Sequence, residues 1–181
     1  LFWGGISNGA QRALNLVFGI FLARLLSPAD YGMVGMLTIF SLIATTLQES
    51  GFISGLNRKQ HITDADYNAV FWFNILMGGS LYLLLVACAP LIAWYYNEPR
   101  LTSLCRYAFL TVVMSSMGTA QSAYLTKNMK VKEMAKTGMT AVLVSSIVGV
   151  SMAYFGMGYW ALASQSIVFI GMNSLLLWVF S

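Results

Sequence analysis

Long apolar stretches alternate with short polar connectors along the chain, and this pattern predicts a series of helices. Each stretch has about the 20 residues that a helix needs to cross a bilayer. The sequence therefore predicts an all-α polytopic membrane protein in which six transmembrane helices form a single bundle over residues 1–181. The predicted spans cover residues 1–26, 28–53, 64–96, 101–126, 134–155 and 159–181.

The corner between the first two spans has a clear helix-start signal. Ser27 can cap the second helix, Pro28 suits its first position, and Asp30 completes a Ser-x-x-Asp capping box. A connector this short predicts a helical hairpin. We also expect an ion pair between Arg24 and Asp30 that steadies this edge, with a role at the mouth of a cavity as the alternative.

The composition supports a lipid environment. Hydrophobic residues make up 58% and charged residues 9% of the chain, whereas a soluble domain has roughly a quarter charged residues. The mean hydropathy of +0.71 agrees. Because the chain starts at Leu1 and stops at Ser181 inside an apolar run, we expect it to be a piece of a longer protein. Cys88 and Cys105 fall inside predicted spans, where we expect them to pack as small apolar groups.

The basic residues predict an orientation. Alternation of the connectors puts six of them on one side and three on the other, and short cytoplasmic loops carry the excess of Lys and Arg. The six-residue side, and with it both ends of the chain, is therefore predicted to be cytoplasmic. Its lysines 127–136 would also attract anionic lipid headgroups. These lysines are Lys127, Lys130, Lys132 and Lys136.

No catalytic or metal-binding constellation is visible in the sequence. His61 is the single histidine and lies in a connector, and no phosphate-binding Gly-x-x-x-x-Gly-Lys loop occurs. We expect no enzymatic activity, no cofactor, no metal and no nucleic-acid partner.

The first predicted span carries a polar face, because its polar residues are spaced three to four apart. They are Asn8, Gln11, Arg12 and Asn15. Arg12 costs about 2.5–3.5 kcal/mol inside a membrane unless it is paired or hydrated. Its guanidinium could bind a phosphate in a central cavity, or it could snorkel to the cytoplasmic interface. The neighbouring amides could bind sugar hydroxyls or bond to other helices.

Two further polar features lie in the second and fourth spans. Glu49 could be a proton or sodium coupling site, or a partner for Arg12 or Arg58. The second half of the fourth span is rich in Ser and Thr, and no role follows from this pattern alone. The residues concerned are Ser115, Ser116, Thr119 and Ser122.

Four segments resemble one known family in order along the chain. Residues 23–32 (ARLLSPADYG) look like the "A-R-L-L-(G/S)-P-x-(D/E)-Y-G" corner of bacterial polysaccharide flippases, which belong to the multidrug/oligosaccharidyl-lipid/polysaccharide exporter superfamily. Residues 49–52 (ESGF), 121–130 (QSAYLTKNMK) and 158–165 (GYWALASQ) resemble further elements of the same family. The corner motif is the most specific of the four.

The resemblance implies a transporter with two six-helix lobes around a central cavity, of which this chain would be the N-terminal lobe. It also implies that a lipid-linked oligosaccharide on undecaprenyl pyrophosphate is carried from the cytoplasmic to the outer leaflet of the bacterial inner membrane. The C-terminal half of the same protein would be a partner. A cation-coupled drug or metabolite antiporter of the same superfamily, and a non-transporting membrane scaffold, remain as alternatives.

Overall fold

The structure, a computed structural model, describes residues 2–49, 64–127 and 131–180. Seven helices cover almost all of these residues, and short turns join them where the described chain is continuous. The helices are α1 (Phe2–Leu25), α2 (Pro28–Glu49), α3 (Asp64–Tyr95), α4 (Arg100–Ala108), α5 (Leu110–Lys127), α6 (Val131–Tyr154) and α7 (Tyr159–Phe180). The predicted all-α fold is therefore confirmed.

Four of the described helices are long and apolar enough to cross a membrane. They are α2, α3, α6 and α7, with candidate spans at Pro28–Leu47, Asn68–Tyr95, Lys132–Tyr154 and Tyr159–Val179. The protein is thus a multi-pass membrane protein. α1 and α5 are less apolar than these four helices, because α1 carries polar residues and α5 carries Ser and Thr residues. The count of six spans therefore stays a prediction.

The fourth predicted span is interrupted at Phe109, which separates α4 from α5. Phe109 has φ −70° and ψ −11°, and its carbonyl accepts a hydrogen bond from Val112 N at 3.0 Å, a tighter i to i+3 turn. Its side chain is fully buried in the main core cluster. Because this position is neither Pro nor Gly, the sequence pattern does not predict the break. The break coincides with tertiary packing of the Phe109 side chain.

The helices pack in an order that differs from a simple chain of hairpins. α1 packs along α6, α6 along α7, α7 along α5 and α5 along α3, while α2 lies mainly against α7 and α5. The predicted corner between α1 and α2 is present. The two helices nevertheless pack mainly on other partners rather than on each other, because each has its own apolar contact surface elsewhere in the bundle.

The turns define two ends of the bundle. The corner end carries the turns at residues 26–27, 96–99 and 155–158, and the basic end is where α6 begins with Lys132 and Lys136. The main core cluster, around Leu101 and Phe109, lies toward the corner end. A second cluster at the same end joins α1, α6 and α7. Its buried members are Leu22, Leu26, Ala153 and Ala161.

Candidate functional site

Asp30 connects two turns at the corner end of the bundle. Its Oδ2 accepts hydrogen bonds from the N–H of Ser27 at 3.0 Å and from Ser27 Oγ at 2.7 Å, while Ser27 Oγ accepts from the N–H of Asp30 at 3.3 Å. The capping box is therefore confirmed. Asp30 Oδ1 accepts a further bond at 3.0 Å from the N–H of Tyr159, the first residue of α7. One carboxylate thus caps α2 and α7 together.

Gly158 makes this bridge possible. It has φ +55°, a conformation that favours glycine, and a Cβ added to it would lie 2.8 Å from Asp30 Oδ1. The expected ion pair between Arg24 and Asp30 is absent from the part of the chain that the structure describes. Both oxygens of the carboxylate accept bonds from helix N-termini instead, and the Arg24 side chain is exposed.

The predicted polar face of α1 is divided between a helix contact and an exposed surface. Gln11 packs against α6, where a Cβ added to Gly138 would lie 2.7 Å from Gln11 Nε2. Arg12 and Asn15 are exposed on α1. The backbone of Asn8 belongs to α1, but its side chain lies outside the described part of the structure. The structure thus leaves Arg12 and Asn15 available for a ligand and gives Gln11 an interhelical contact.

Two of the remaining charged candidates lie near the basic end. Lys132 and Lys136 are exposed in the first turns of α6. The side chains of Glu49 and Lys127 and all of Lys130 lie outside the described residues, so their predicted roles stay predictions.

The contacts of α1 with α6 fix the depth of Arg12 in the bundle. The two helices run parallel, since Leu22 clusters with Ala153 near one end, and Gln11 contacts Gly138 about 11 residues earlier in α1 and 15 residues earlier in α6. In this register Arg12 lies about 5 Å further from the basic end than Lys136, at 1.5 Å per residue. The length of an arginine side chain spans such a distance. Arg12 and Lys136 therefore belong to one cationic layer.

A second polar feature lies between α5 and α7, and we call it the polar cleft. Its volume is about 190 Å³. Residues at i, i+3, i+4 and i+7 of each helix line it. From α5 these are Ser115, Gly118, Thr119 and Ser122, and from α7 they are Ile170, Asn173, Ser174 and Leu177.

Close helix packing forms one wall of the polar cleft. A Cβ added to Gly118 would lie 2.7 Å from Ser174 Oγ and 3.3 Å from the Ser174 Cα, so no other residue fits without a shift. Ser174 Oγ donates to the carbonyl of Met114 at 2.8 Å, and Trp178 Nε1 donates to the carbonyl of Met117 at 3.0 Å. These bonds hold α5 and α7 in a parallel register.

The two sides of this α5–α7 contact have opposite chemistry. The polar cleft lies on one side, and an apolar groove of about 360 Å³ lies on the other. Met117, Leu175 and Trp178 in the groove are 46%, 66% and 50% exposed, as expected of a surface in contact with lipid. The polar cleft therefore faces away from that lipid-compatible surface.

The polar cleft and the polar face of α1 lie at a similar depth. Gly149 of α6 packs against Gln165 of α7, where an added Cβ would lie 3.0 Å from Gln165 Cβ. From this contact α6 and α7 run in opposite directions. At the rise of a helix, Gly138 and the neighbouring Gln11 therefore lie within about 5 Å of the depth of Asn173. Arg12, next to Gln11, thus shares a layer with the cleft.

This arrangement offers hydrogen-bonding groups and a cation. Hydroxyl and amide side chains line the polar cleft, and a guanidinium lies exposed at the same depth. Among the described residues, no group of three or more His, Cys, Asp or Glu side chains could hold a metal ion. The sequence indicated half of the cleft through the Ser and Thr residues of α5, but it gave no sign that Asn173 would lie opposite them.

Comparisons with known proteins agree with this architecture. The profile of a family described as "Polysaccharide biosynthesis protein" matches residues 21–181. The chain is 27% identical over 167 residues to the succinoglycan biosynthesis transport protein ExoT of Rhizobium meliloti, covering 92% of this chain and 34% of that protein. It is 23% identical over 172 residues to the lipopolysaccharide biosynthesis protein WzxC of Escherichia coli, covering 95% and 34%.

A third relative is also similar. The teichuronic acid biosynthesis protein TuaB of Bacillus subtilis is 25% identical over 134 residues, which cover 74% of this chain and 28% of that protein. The chain thus spans about a third of the length of the curated relatives it matches. No solved structure is significantly similar to it.

Proposed function

Because the chain belongs to the polysaccharide biosynthesis protein family, we propose that it forms the N-terminal lobe of a polysaccharide flippase. The substrate would be an oligosaccharide repeat unit linked to undecaprenyl pyrophosphate. The complete protein would move this lipid from the cytoplasmic to the outer leaflet of the bacterial inner membrane. The relatives named for succinoglycan transport and for lipopolysaccharide biosynthesis support a role in polysaccharide export.

The observation that carries the proposal is an exposed cation at the depth of a neutral polar cleft. Arg12 is exposed on α1, and the polar cleft lies within about one helical turn of the same depth. A lipid-linked oligosaccharide needs both environments, since its pyrophosphate favours a guanidinium and its sugars favour uncharged hydrogen-bonding groups. The isoprenoid tail can stay in the bilayer throughout.

The remaining partners follow from the same scheme. The C-terminal half of the protein would supply the second wall of the cavity, and Lys132 and Lys136 would lie among anionic headgroups on the cytoplasmic side. We expect no enzymatic step, because movement of the substrate needs alternating access rather than bond cleavage. Coupling to an ion gradient would require an acidic residue within the membrane, and Glu49 stays the candidate.

The test uses the full-length protein in liposomes and follows a fluorescent undecaprenyl-pyrophosphate oligosaccharide across the bilayer. We expect Arg12→Ala to lower the rate of translocation by about tenfold or more, because a charge-assisted hydrogen bond to the pyrophosphate contributes about 1.5–3 kcal/mol. Arg24→Ala is the matched control, since Arg24 is exposed on the same helix at the opposite end. We expect its rate to stay near that of wild type.

The other outcomes separate the alternatives. Translocation that is unchanged in Arg12→Ala would keep the flippase and place Arg12 at the membrane interface. Efflux of a cationic dye without movement of any lipid-linked sugar would favour a drug antiporter. Absence of any transport by the wild type would favour a membrane scaffold.

A further inference from the structure

We propose that the polar cleft between α5 and α7 is a sugar-binding subsite, which takes one uncharged sugar residue of the lipid-linked substrate. This inference rests on the proposed function and assigns the sugar to a place in this lobe. The cleft residues that would bind it are Ser115, Thr119, Ser122 and Asn173, with Gly118 and Ser174 forming the wall between the helices.

The chemistry of the cleft suits a neutral ligand with many hydroxyl groups. Its eight lining residues include four hydroxyl side chains and one amide, and none carries a charge. Hydroxyl and amide groups can each donate and accept, as sugar hydroxyls do, so a sugar can satisfy them in several directions. A pyrophosphate would find no cation among these residues and would bind better at Arg12.

Two side chains in the cleft have hydrogen-bonding capacity left over. Thr119 Oγ1 donates to the carbonyl of Ser115 at 3.0 Å and Ser174 Oγ to that of Met114, so both of these donors are occupied within the helices. The Ser115 hydroxyl and the Asn173 amide make no hydrogen bond within the described part of the chain. An unbonded amide in an apolar helix such as α7 is costly unless water or a ligand meets it.

The size of the cleft limits what it can hold. Its volume of about 190 Å³ is smaller than the ~300–1,000 Å³ of complete small-molecule sites. It therefore fits a single sugar residue rather than a whole repeat unit. The rest of the oligosaccharide would extend into the space between this lobe and the other half of the protein.

The depth of the cleft indicates which sugar it would take. Asn173 and Arg12 lie in the same layer of the bundle. This common depth follows from two contacts, that of Gln11 with Gly138 and that of Gly149 with Gln165. α6 packs between α1 and α7, so a pyrophosphate held by Arg12 would have its nearest sugars at the depth of the cleft. The cleft would thus take one of the sugars close to the pyrophosphate, and selectivity for that sugar would reside in α5 and α7.

The experiment measures equilibrium binding to the full-length protein in nanodiscs. The two probes are undecaprenyl pyrophosphate and the same lipid carrying one N-acetylglucosamine. We expect the wild type to bind the sugar-bearing lipid more tightly. Asn173→Leu should weaken that binding by about tenfold and Ser115→Ala by about fivefold, since each variant removes one or two hydrogen bonds. Both should bind the bare lipid as the wild type does.

Ser151→Ala is the matched control, because Ser151 is an exposed serine of α6 whose Oγ donates to the carbonyl of Ile147 in its own helix. It should bind both lipids as the wild type does. Ser115→Ala removes a single oxygen, so it gives an answer even if Asn173→Leu fails to fold.

Each remaining outcome is decisive. Equal affinity of the wild type for the two lipids, or variants that weaken both lipids alike, would overturn the sugar subsite while leaving the flippase in place. Failure of the wild type to bind either lipid would instead overturn the proposed function and the subsite with it.

Discussion

At the residue scale, Asp30 joins the N-termini of α2 and α7 through a bond to Tyr159, which lies 129 positions further along the chain. Each N-terminus has N–H groups without intrahelical partners, and a carboxylate is the best acceptor for them. The bond from Tyr159 joins the two corner-end turns directly. The most specific part of the flippase-like corner, residues 23–32, thus contacts residues 158–165, which resemble another element of the same family. The contact between the two segments thus explains the presence of Asp30 in the first and of Gly158 and Tyr159 in the second.

Gly158→Ala should destabilise the protein more than Gly156→Ala does. Both glycines have positive φ, +55° and +76°, so alanine costs about 1–2 kcal/mol at either position. At Gly158 the new Cβ would also lie 2.8 Å from Asp30 Oδ1, whereas at Gly156 it would meet no atom within 4 Å. The free energy of unfolding, measured in detergent, should therefore fall further for Gly158→Ala.

A double-mutant cycle with Asp30→Ala tests the cause of this difference. Asp30→Ala alone should cost about 1–2 kcal/mol because it removes the caps of α2 and α7. With the carboxylate gone, Gly158→Ala should cost no more than Gly156→Ala. Additive effects of Gly158→Ala and Asp30→Ala would contradict the close contact.

At the scale of the elements, the contact between α5 and α7 separates a polar surface from an apolar one. Gly118 allows the helices to approach closely, and side-chain bonds from Ser174 and Trp178 reach the backbone of α5. In a membrane such interhelical bonds and small residues take over much of the role that apolar burial has in water. The register of these two helices therefore depends on a few positions.

Gly118→Ala should loosen this contact. The new Cβ would lie 2.7 Å from Ser174 Oγ and 3.3 Å from the Ser174 backbone, and overpacking of this kind costs about 1–3 kcal/mol. Gly79→Ala in α3 is the matched control, because an added Cβ there meets nothing within 4 Å and alanine favours a helix. Thermal unfolding in detergent should show a lower midpoint for Gly118→Ala and an unchanged or higher midpoint for Gly79→Ala. The reverse order would show that α5 and α7 do not pack at this glycine.

The whole molecule has two chemically different ends. Among the described residues, the corner end contains the tight turns and most of the buried core, and α6 begins with Lys132 and Lys136 at the basic end. Short positively charged segments stay in the cytoplasm during insertion. The proposed orientation, with the basic end cytoplasmic, places Arg12 and the polar cleft where a substrate made inside the cell would first arrive.

Single-cysteine labelling tests this orientation. In a background with Cys88→Ala and Cys105→Ala, we expect Met157→Cys to react with a membrane-impermeant thiol reagent in intact spheroplasts, because Met157 is exposed in a turn of the corner end. Lys132→Cys should react only after the membrane is permeabilised. The opposite pattern would show that the basic end is not cytoplasmic. It would contradict the proposal that the substrate enters from the cytoplasm at this end.

The sequence predicted many local features of this protein, but it did not predict the break at Phe109, and the ion pair that it predicted between Arg24 and Asp30 is absent from the described residues. The apolar stretches and their polar breaks located the helices of the described residues to within a few positions, and Ser27, Pro28 and Asp30 marked the start of α2. These features were predictable because helix periodicity and capping depend on residues within about one turn of each other. The polar face of α1 was visible for the same reason, with Arg12 and Asn15 exposed on the helix.

Only the tertiary structure decided which faces meet. Helix periodicity gives each helix a polar and an apolar side, but it does not say which partner covers either side. The bond from Tyr159 to Asp30, the break at Phe109 and the position of Asn173 opposite the serines of α5 all depend on contacts between distant segments. The sequence by itself thus determined a membrane-embedded helical protein with a cationic end, and the packing of its helices decided where a ligand can bind.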